Sequence, residues 1–223
     1  MTDQGLSIFD DEPDGVDAPE TDDEPSISVD NAGGARAAAH HLIELGHRDF
    51  LILSVEPPAG SGGRSATIAT LRLRGYQSAL HEAGIDLPEG HVIIAPTTIE
   101  GGRQAFREAW EDGLRPTAVL AMSDVTAIGA MHAARELRVR VPDDVSMVGF
   151  DDIEIAQYTD PPLTTIHQPI HRKGEEAVRL LLHDPWQQDP GRSEHRRLEV
   201  RLVIRGTTRQ APPLRQEVRD TKG

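Results

Sequence analysis

The 223-residue sequence contains no cysteine, which removes disulfides and thiolate metal sites from its chemistry. It has no apolar run of the length a bilayer span needs. Its N-terminus is acidic and lacks the basic-then-apolar order of a signal peptide. Together these absences predict a cytoplasmic chain with no membrane contact. Basic residues are missing from positions 1–30, where 11 of the 37 acidic residues fall. The rest carries 26 acidic against 23 basic side chains, a net charge of about −3. The formal charge of −14 therefore describes an acidic leader on a nearly neutral body. Neither part has the basic stripe of a phosphate-gripping surface, so this chain alone is not expected to bind nucleic acid.

Catalytic signatures are missing too. There is no GxSxG, no Walker loop and no HExxH. Gly60-Ser61-Gly62-Gly63 precedes a helical stretch, but a GxGxxG match would need glycine where Ser65 stands. It reads as a loop. His40–His41 and His167…His171 have spacings seen in metal pairs, yet His167 falls at the end of a predicted strand, off the helix of His171. The ten histidines read as surface usage. No metal and no cofactor is expected.

Residues 10–25 hold one valine as their only sizeable apolar side chain. Such a segment buries too little to offset its ordering entropy. It reads as a loop or tail, after a short strand at Leu6–Phe9. Beyond it the pattern alternates. Strands are predicted at Ser26–Val29, Phe50–Leu53, Val92–Ala95, Ala118–Met122, Val145–Phe150, Thr164–Ile166 and Leu198–Ile204. Helices are predicted at Asn31–Leu45, Thr67–Ala83, Gly101–Asp112, Val125–Leu137 and Pro169–Leu182, with Gly46, Gly84 and Gly113 as stops. A loop runs from Pro57 to Ser65. Strand–helix alternation with short connections predicts a doubly wound α/β fold: a parallel sheet covered on both faces. In such sheets ligands bind beyond the carboxyl ends of the strands.

The residues at those ends are Ser54, Thr97, Ser123, Asp124, Asp151, Asp152 and Gln168. A carboxylate there can accept hydrogen bonds from adjacent hydroxyls, a match to a sugar. Asp151 or Asp152 can equally cap a turn. Ser123-Asp124 reads as a helix cap or a ligand contact, and the two roles are compatible. Arg72, early in its helix, can fork onto ligand oxygens or lie on the surface like its neighbour Arg74. An acid–base pair of Asp151 and Asp152 is poorly placed, because adjacent strand residues point to opposite faces.

Several stretches resemble one family. MSDVTAIGA, VPDDVSMVGFDD and PPLTTIHQ, all within residues 119–170, look like the central run of LacI/GalR-type transcription regulators. SVDNAGGARAAAHHLIELGHRDFLILS (28–54), RLRGY (72–76) and LVIRGTTRQAPP (202–213) resemble the family's flanking segments. The resemblance covers about residues 26–213. It implies a two-lobed, periplasmic-binding-protein-like core that dimerises, holds a small sugar-like effector between its lobes, and controls DNA binding by a helix-turn-helix head. That head would precede residue 1. Most of the first lobe is expected to be missing as well.

The resemblance implies second-lobe residues at 31–166 and 191–213, a first-lobe remnant at 167–190, an acidic leader at 1–25 and a polar tail at 214–223. Arg72 and Asp151 match the family's principal ligand-contacting residues. Ser123 matches a frequent polar contact, and Gln168 lies at the crossover between lobes. Thr97 and Ile170 stand where relatives often carry aromatic rings, so either no pyranose stacks in the usual way or another residue does the stacking. The helix Pro169–Leu182 is expected to lack its sheet and expose apolar surface. The alternative reading is a stand-alone sugar-binding module of the transport type.

Overall fold

Asp30 starts the first helix by turning its carboxylate back on the chain. Its Oδ1 accepts from the Gly33 amide at 2.9 Å, the bond an N-cap supplies. The helix that follows, α1 (Asn31–Glu44), buries Ala35, Ala38, Ala39 and Leu42, one helical face. It closes where Gly46 takes a φ of 91° and the His47 amide reaches the Leu42 carbonyl at 3.1 Å, a Schellman-type ending. The same logic of caps and glycine stops divides the rest of the chain.

The computed structural model describes residues 26–55, 64–183 and 195–213. The expected strand at Leu6–Phe9, the acidic leader, most of the loop Pro57–Ser65 and the tail from 214 lie outside these residues. The elements are β1 (Ser26–Val29), α1, β2 (Phe50–Val55), α2 (Arg64–Glu82), β3 (Val92–Ala95), α3 (Ile99–Glu111), β4 (Ala118–Ala121), α4 (Asp124–Glu136), β5 (Ser146–Asp151), a 3-10 turn (Glu154–Tyr158), β6 (Thr164–His167), α5 (Ile170–His183), β7 (His195–Leu198) and β8 (Arg201–Val203).

Six strands form the main sheet in the order β3-β2-β4-β5-β6-β8. All neighbours run parallel except β8, which pairs antiparallel with β6. Successive residues on each strand feed two separate cores. Leu51, Leu53, Val119 and Ala121 join one cluster with α3 and α4. Phe50, Ile52, Ala118, Leu120 and Met122 join the other with α1 and α2. Burial of both faces is what a parallel sheet requires. On one side, α3 and α4 cross so closely that a Cβ at Gly102 would collide with the Thr126 carbonyl, and one at Gly129 with the Ile99 carbonyl.

The doubly wound α/β expectation therefore holds, with corrections. The stretch Leu198–Ile204 is not one strand. It splits into β7, which pairs parallel with β1 in a separate two-stranded sheet, and β8 in the main sheet. The alternation runs on through Glu199 and Val200, and a period of two does not say which sheet a strand joins. Helix α2 begins at Arg64, earlier than expected. Helix α3 begins at Ile99 because Thr98, as N-cap, accepts from the Gly101 amide at 2.9 Å. The 3-10 turn was not anticipated.

Helix α5 does have a sheet, although a small one. Its Leu180 is buried, and its buried Glu176 bonds Arg196 of β7. Ile170, Val178, Leu181 and Leu182 of α5 remain exposed. Among the described residues no helix is long and apolar enough to cross a membrane.

Candidate functional site

At the carboxyl edge of the main sheet the chain takes an unusual path. Asp151 ends β5 with a φ of 120°, and Asp152 follows with a φ of 58°. Both values lie in the region that L-residues with side chains rarely adopt, at a cost on the order of 1–3 kcal/mol each. Strain of this kind persists where surrounding contacts over-determine it. Here those contacts are specific.

The Asp151 carboxylate meets Arg72 of α2, with Nη2 3.5 Å from Oδ1. The Gln168 side-chain amide donates to the same Oδ1 at 2.5 Å. Arg72 is buried and held on every side. Its Nε donates to Asn31 Oδ1 at 3.0 Å, its Nη1 donates to the Met122 carbonyl, and its guanidinium carbon lies 3.6 Å from the centroid of the Phe150 ring. Burial pulls the Arg72 pKa below its ordinary value, opposed by the charge of Asp151. Burial likewise pushes the Asp151 carboxyl above its usual range, while Arg72 and Gln168 hold it back.

Local sequence explains how Arg72 arrives there. In Arg72-Leu73-Arg74-Gly75-Tyr76, a Cβ on Gly75 would collide with the Ala32 carbonyl, so glycine lets α2 press against the start of α1 beside Asn31. Tyr76, fully buried, donates to the Ala121 carbonyl at 3.4 Å. Arg74 faces solvent.

The remaining strand-end residues fall into different environments. Ser123 is buried and caps α4, its Oγ accepting from the Thr126 amide at 3.2 Å. It directly follows Met122, whose carbonyl receives Arg72. Asp124 is fully buried and accepts from Thr165 Oγ1 at 2.5 Å and from the Ile153 amide at 2.9 Å. Burial pushes its carboxyl up to about 7 against those two bonds, and the nearby charges of Asp151 and Asp152 add to the rise. Ser54 is buried with its hydroxyl on Met122 Sδ at 3.4 Å. Thr97 is exposed in the link between β3 and α3. It lies three strands from β5 in the sheet order, or about 14 Å at the usual strand spacing. The structure thus joins Arg72, Asp151 and Gln168, places Ser123 beside them, and leaves Thr97 at the far side of the same edge.

Asp152 turns elsewhere. Its Oδ1 pairs with Arg205 at 2.6 Å and its Oδ2 with His167 Nδ1 at 2.8 Å. Burial works against its charge, but these two partners outweigh it and hold its pKa below the ordinary value. The two aspartates therefore serve different neighbours and do not face one reacting group, as acid–base work by the pair would require. Among the described residues no three His, Cys, Asp or Glu side chains are grouped to hold a metal.

Sequence reasoning passed over Asn31, Phe150 and Arg205. Asn31 carried the best signal, an amide directly after the Asp30 cap. Its bond to Arg72 spans 41 positions, which no local pattern reveals.

Residues 39–208 match the family described as periplasmic binding protein-like domain. The chain is 36% identical over 188 residues to the HTH-type transcriptional repressor CytR of Escherichia coli K12, covering 84% of this chain and 53% of that protein. It is 36% identical over 166 residues to the ribose operon repressor of the same organism, covering 74% and 48%. The chain thus spans about half the length of the curated relatives it matches, and those relatives are named as repressors.

Among solved structures, a complex of the transcriptional regulator CelR with cellobiose aligns with a TM-score of 0.76 and 32% identity, covering 85% of this chain and 55% of that one. A LacI-family regulator from Enterococcus faecium with bound ribose gives 0.73 and 31%, covering 87% and 69%. A dimeric Lac repressor gives 0.75 and 32%, covering 87% and 68%. With the sheet order, the Arg72–Asp151 pair and these matches together, the chain belongs to the LacI/GalR family of transcription regulators, within its periplasmic-binding-protein-like domain.

Proposed function

We propose that residues 26–213 sense a small, hydroxyl-rich, sugar-like molecule, and that its binding sets operator affinity through a helix-turn-helix region outside the described residues. The observation that carries this reading is the Asp151 carboxylate. It is fixed at the sheet's carboxyl edge by Arg72 and Gln168, and both contacts fall on Oδ1. Among the described residues nothing donates to Oδ2, which can accept from ligand hydroxyls. In this reading Arg72 and Asp151 are the principal contacts, Gln168 and Ser123 flank them, and Thr97 lines the outer end. Asn31, Met122 and Asp151 engage three of the five N–H donors of Arg72, so the guanidinium keeps donors for ligand oxygens. The cellobiose and ribose complexes of similar regulators support the same class.

The segments 31–166 and 199–213 supply the second lobe in this reading, β7 belonging to the small sheet. The small sheet of β1 and β7 with α5 supplies what is present of the first. The partner is a second copy of the chain, as in the dimeric Lac repressor. Ile155 and Tyr158 on the 3-10 turn are exposed, and Thr159, next to Tyr158 in sequence, lines a groove with Ile128, Met131, Val139, Val141 and Pro161. Arg135, Arg138 and Arg140 share that groove with Asp143 and Asp160. A patch carrying both signs suits a two-fold contact with itself.

The test is calorimetric titration of the 223-residue chain with ribose, cellobiose, nucleosides and purines, repeated on Arg72→Ala and Asp151→Ala. A sugar that binds the parent and loses at least tenfold in affinity in both variants is expected. A ligand whose affinity is untouched by either substitution would place the site elsewhere.

A further inference from the structure

The backbone path through Asp151 and Asp152 is the least expected feature of the sheet edge, and its supports lie away from the ligand-facing side. Asp152 is clamped between two strands. Arg205, just beyond β8, pairs with its Oδ1, and His167, the last residue of β6, pairs with its Oδ2. Arg205 is itself fixed, because its Nη1 donates to the Leu163 carbonyl at 2.8 Å and its amide donates to Thr164 Oγ1 at 2.9 Å. One residue further on, the Ile153 amide is held by Asp124. Gly149 lets that carboxylate lie against β5, where a Cβ would collide with it. The strained pair is thus pinned from both ends of its turn.

From this geometry we infer that Arg205, acting through Asp152, is a positioning residue for the sensing site: it holds the left-handed turn that aims the Asp151 carboxylate at Arg72 and Gln168. An aspartate with a positive φ relaxes toward ordinary backbone unless it is restrained. Relaxation at residue 152 would rotate the preceding peptide and swing the Asp151 side chain off Arg72. Asp152 and Arg205 touch no ligand in this scheme. The inference rests on the proposed sensing site for its functional meaning, but its geometry stands without a ligand.

The test uses the intact chain and reads the site directly. The Arg72 Nε–H and the Gln168 side-chain amide give nitrogen-15 resonances that report their contacts with Asn31 and Asp151. Arg205→Gln and Asp152→Asn are expected to move both resonances while thermal unfolding stays cooperative, and Arg205→Lys to return them part of the way. Arg103→Gln, which breaks an exposed pair with Glu100 and Glu136, serves as control and should leave them in place. A merely structural salt bridge would lower the melting temperature and leave the two resonances unmoved, and that result overturns the inference. Should Arg205→Gln fail to fold, Asp152→Asn alone decides, since asparagine keeps the side-chain size and removes only the charge that Arg205 and His167 hold. Ribose titration runs in parallel. Wild-type protein that ignores ribose and every other sugar counts against the sensing reading and leaves the resonance result to stand by itself.

Discussion

Arg72 lies over the face of Phe150, 3.6 Å from the ring centroid to the guanidinium carbon. The ring is fully buried, so the cation is stacked where water cannot compete. The stack and the three polar contacts of Arg72 act on one group. Arg72→Ala should destabilise the chain by about 3 kcal/mol, as removal of one partner from a buried pair does. Phe150→Leu should cost less, about 1–2 kcal/mol. Urea unfolding checks both, and an Arg72→Ala variant as stable as the parent would contradict the buried geometry.

The α3–α4 crossing makes a prediction of opposite signs. Gly129→Ala places a methyl against the Ile99 carbonyl and should destabilise by about 1–3 kcal/mol. Gly174→Ala, in α5 with nothing near its Cβ position, should stabilise by up to about 1 kcal/mol through helix propensity. Thermal melts of the two variants should therefore move in opposite directions from the parent.

Asp124 links stability to pH. Its folded pKa of about 7 stands above its ordinary value of 3.8. The folded state therefore binds the proton more tightly than the unfolded state. The resulting contribution is fully present below the unfolded pKa and is lost as pH rises toward 7. Its slope approaches about 1.4 kcal/mol per pH unit within that window. Asp124→Asn removes it, so the stability difference between parent and variant should change between about pH 4 and 7 and be flat above.

His47 runs the other way. It is fully buried between Thr117 and the Arg209 carbonyl. Burial lowers its pKa below 6.5, so its contribution is present above 6.5 and is lost as pH falls through the folded value. His47→Gln should weaken the acid-side loss, read as a smaller drop in melting temperature from pH 7 to 5 (about 1.4 kcal/mol per proton and pH unit at most).

For the proposed dimer, Tyr158→Asp should weaken self-association by roughly 30-fold or more if the ring anchors the contact. Sedimentation velocity across a concentration series reads this. Unchanged association would move the interface off the 3-10 turn.

Much of the architecture was legible because the punctuation is local. Asp30 and Ser123 cap helices next to them in sequence, and Gly46 ends α1 where it stands. Strand-end logic picked out Asp151 and Gln168, helix position left Arg72 between a ligand contact and a surface residue, and the family resemblance matched Arg72 and Asp151 to ligand contacts. The division of labour between Asp151 and Asp152 was not legible. It depends on Arg205, 53 positions downstream, and on a backbone turn that composition does not encode. Strand-end logic also put Thr97 on the correct edge but gave no lateral distance, because strand order is set by packing. The split between β7 and β8 was hidden for the same reason.

That split leaves the two sheets joined by very little chain. Asp30 connects β1 to α1, Gln168 and Pro169 connect β6 to α5, and Glu199 and Val200 connect β7 to β8. The first of these links is fastened to the end of β7, since the Asp30 amide donates to the Leu198 carbonyl at 3.0 Å. Any swing of the small sheet against the large one must be absorbed by torsions within this five-residue hinge. One of the five, Gln168, already grips Asp151, so the pivot and the site share a side chain.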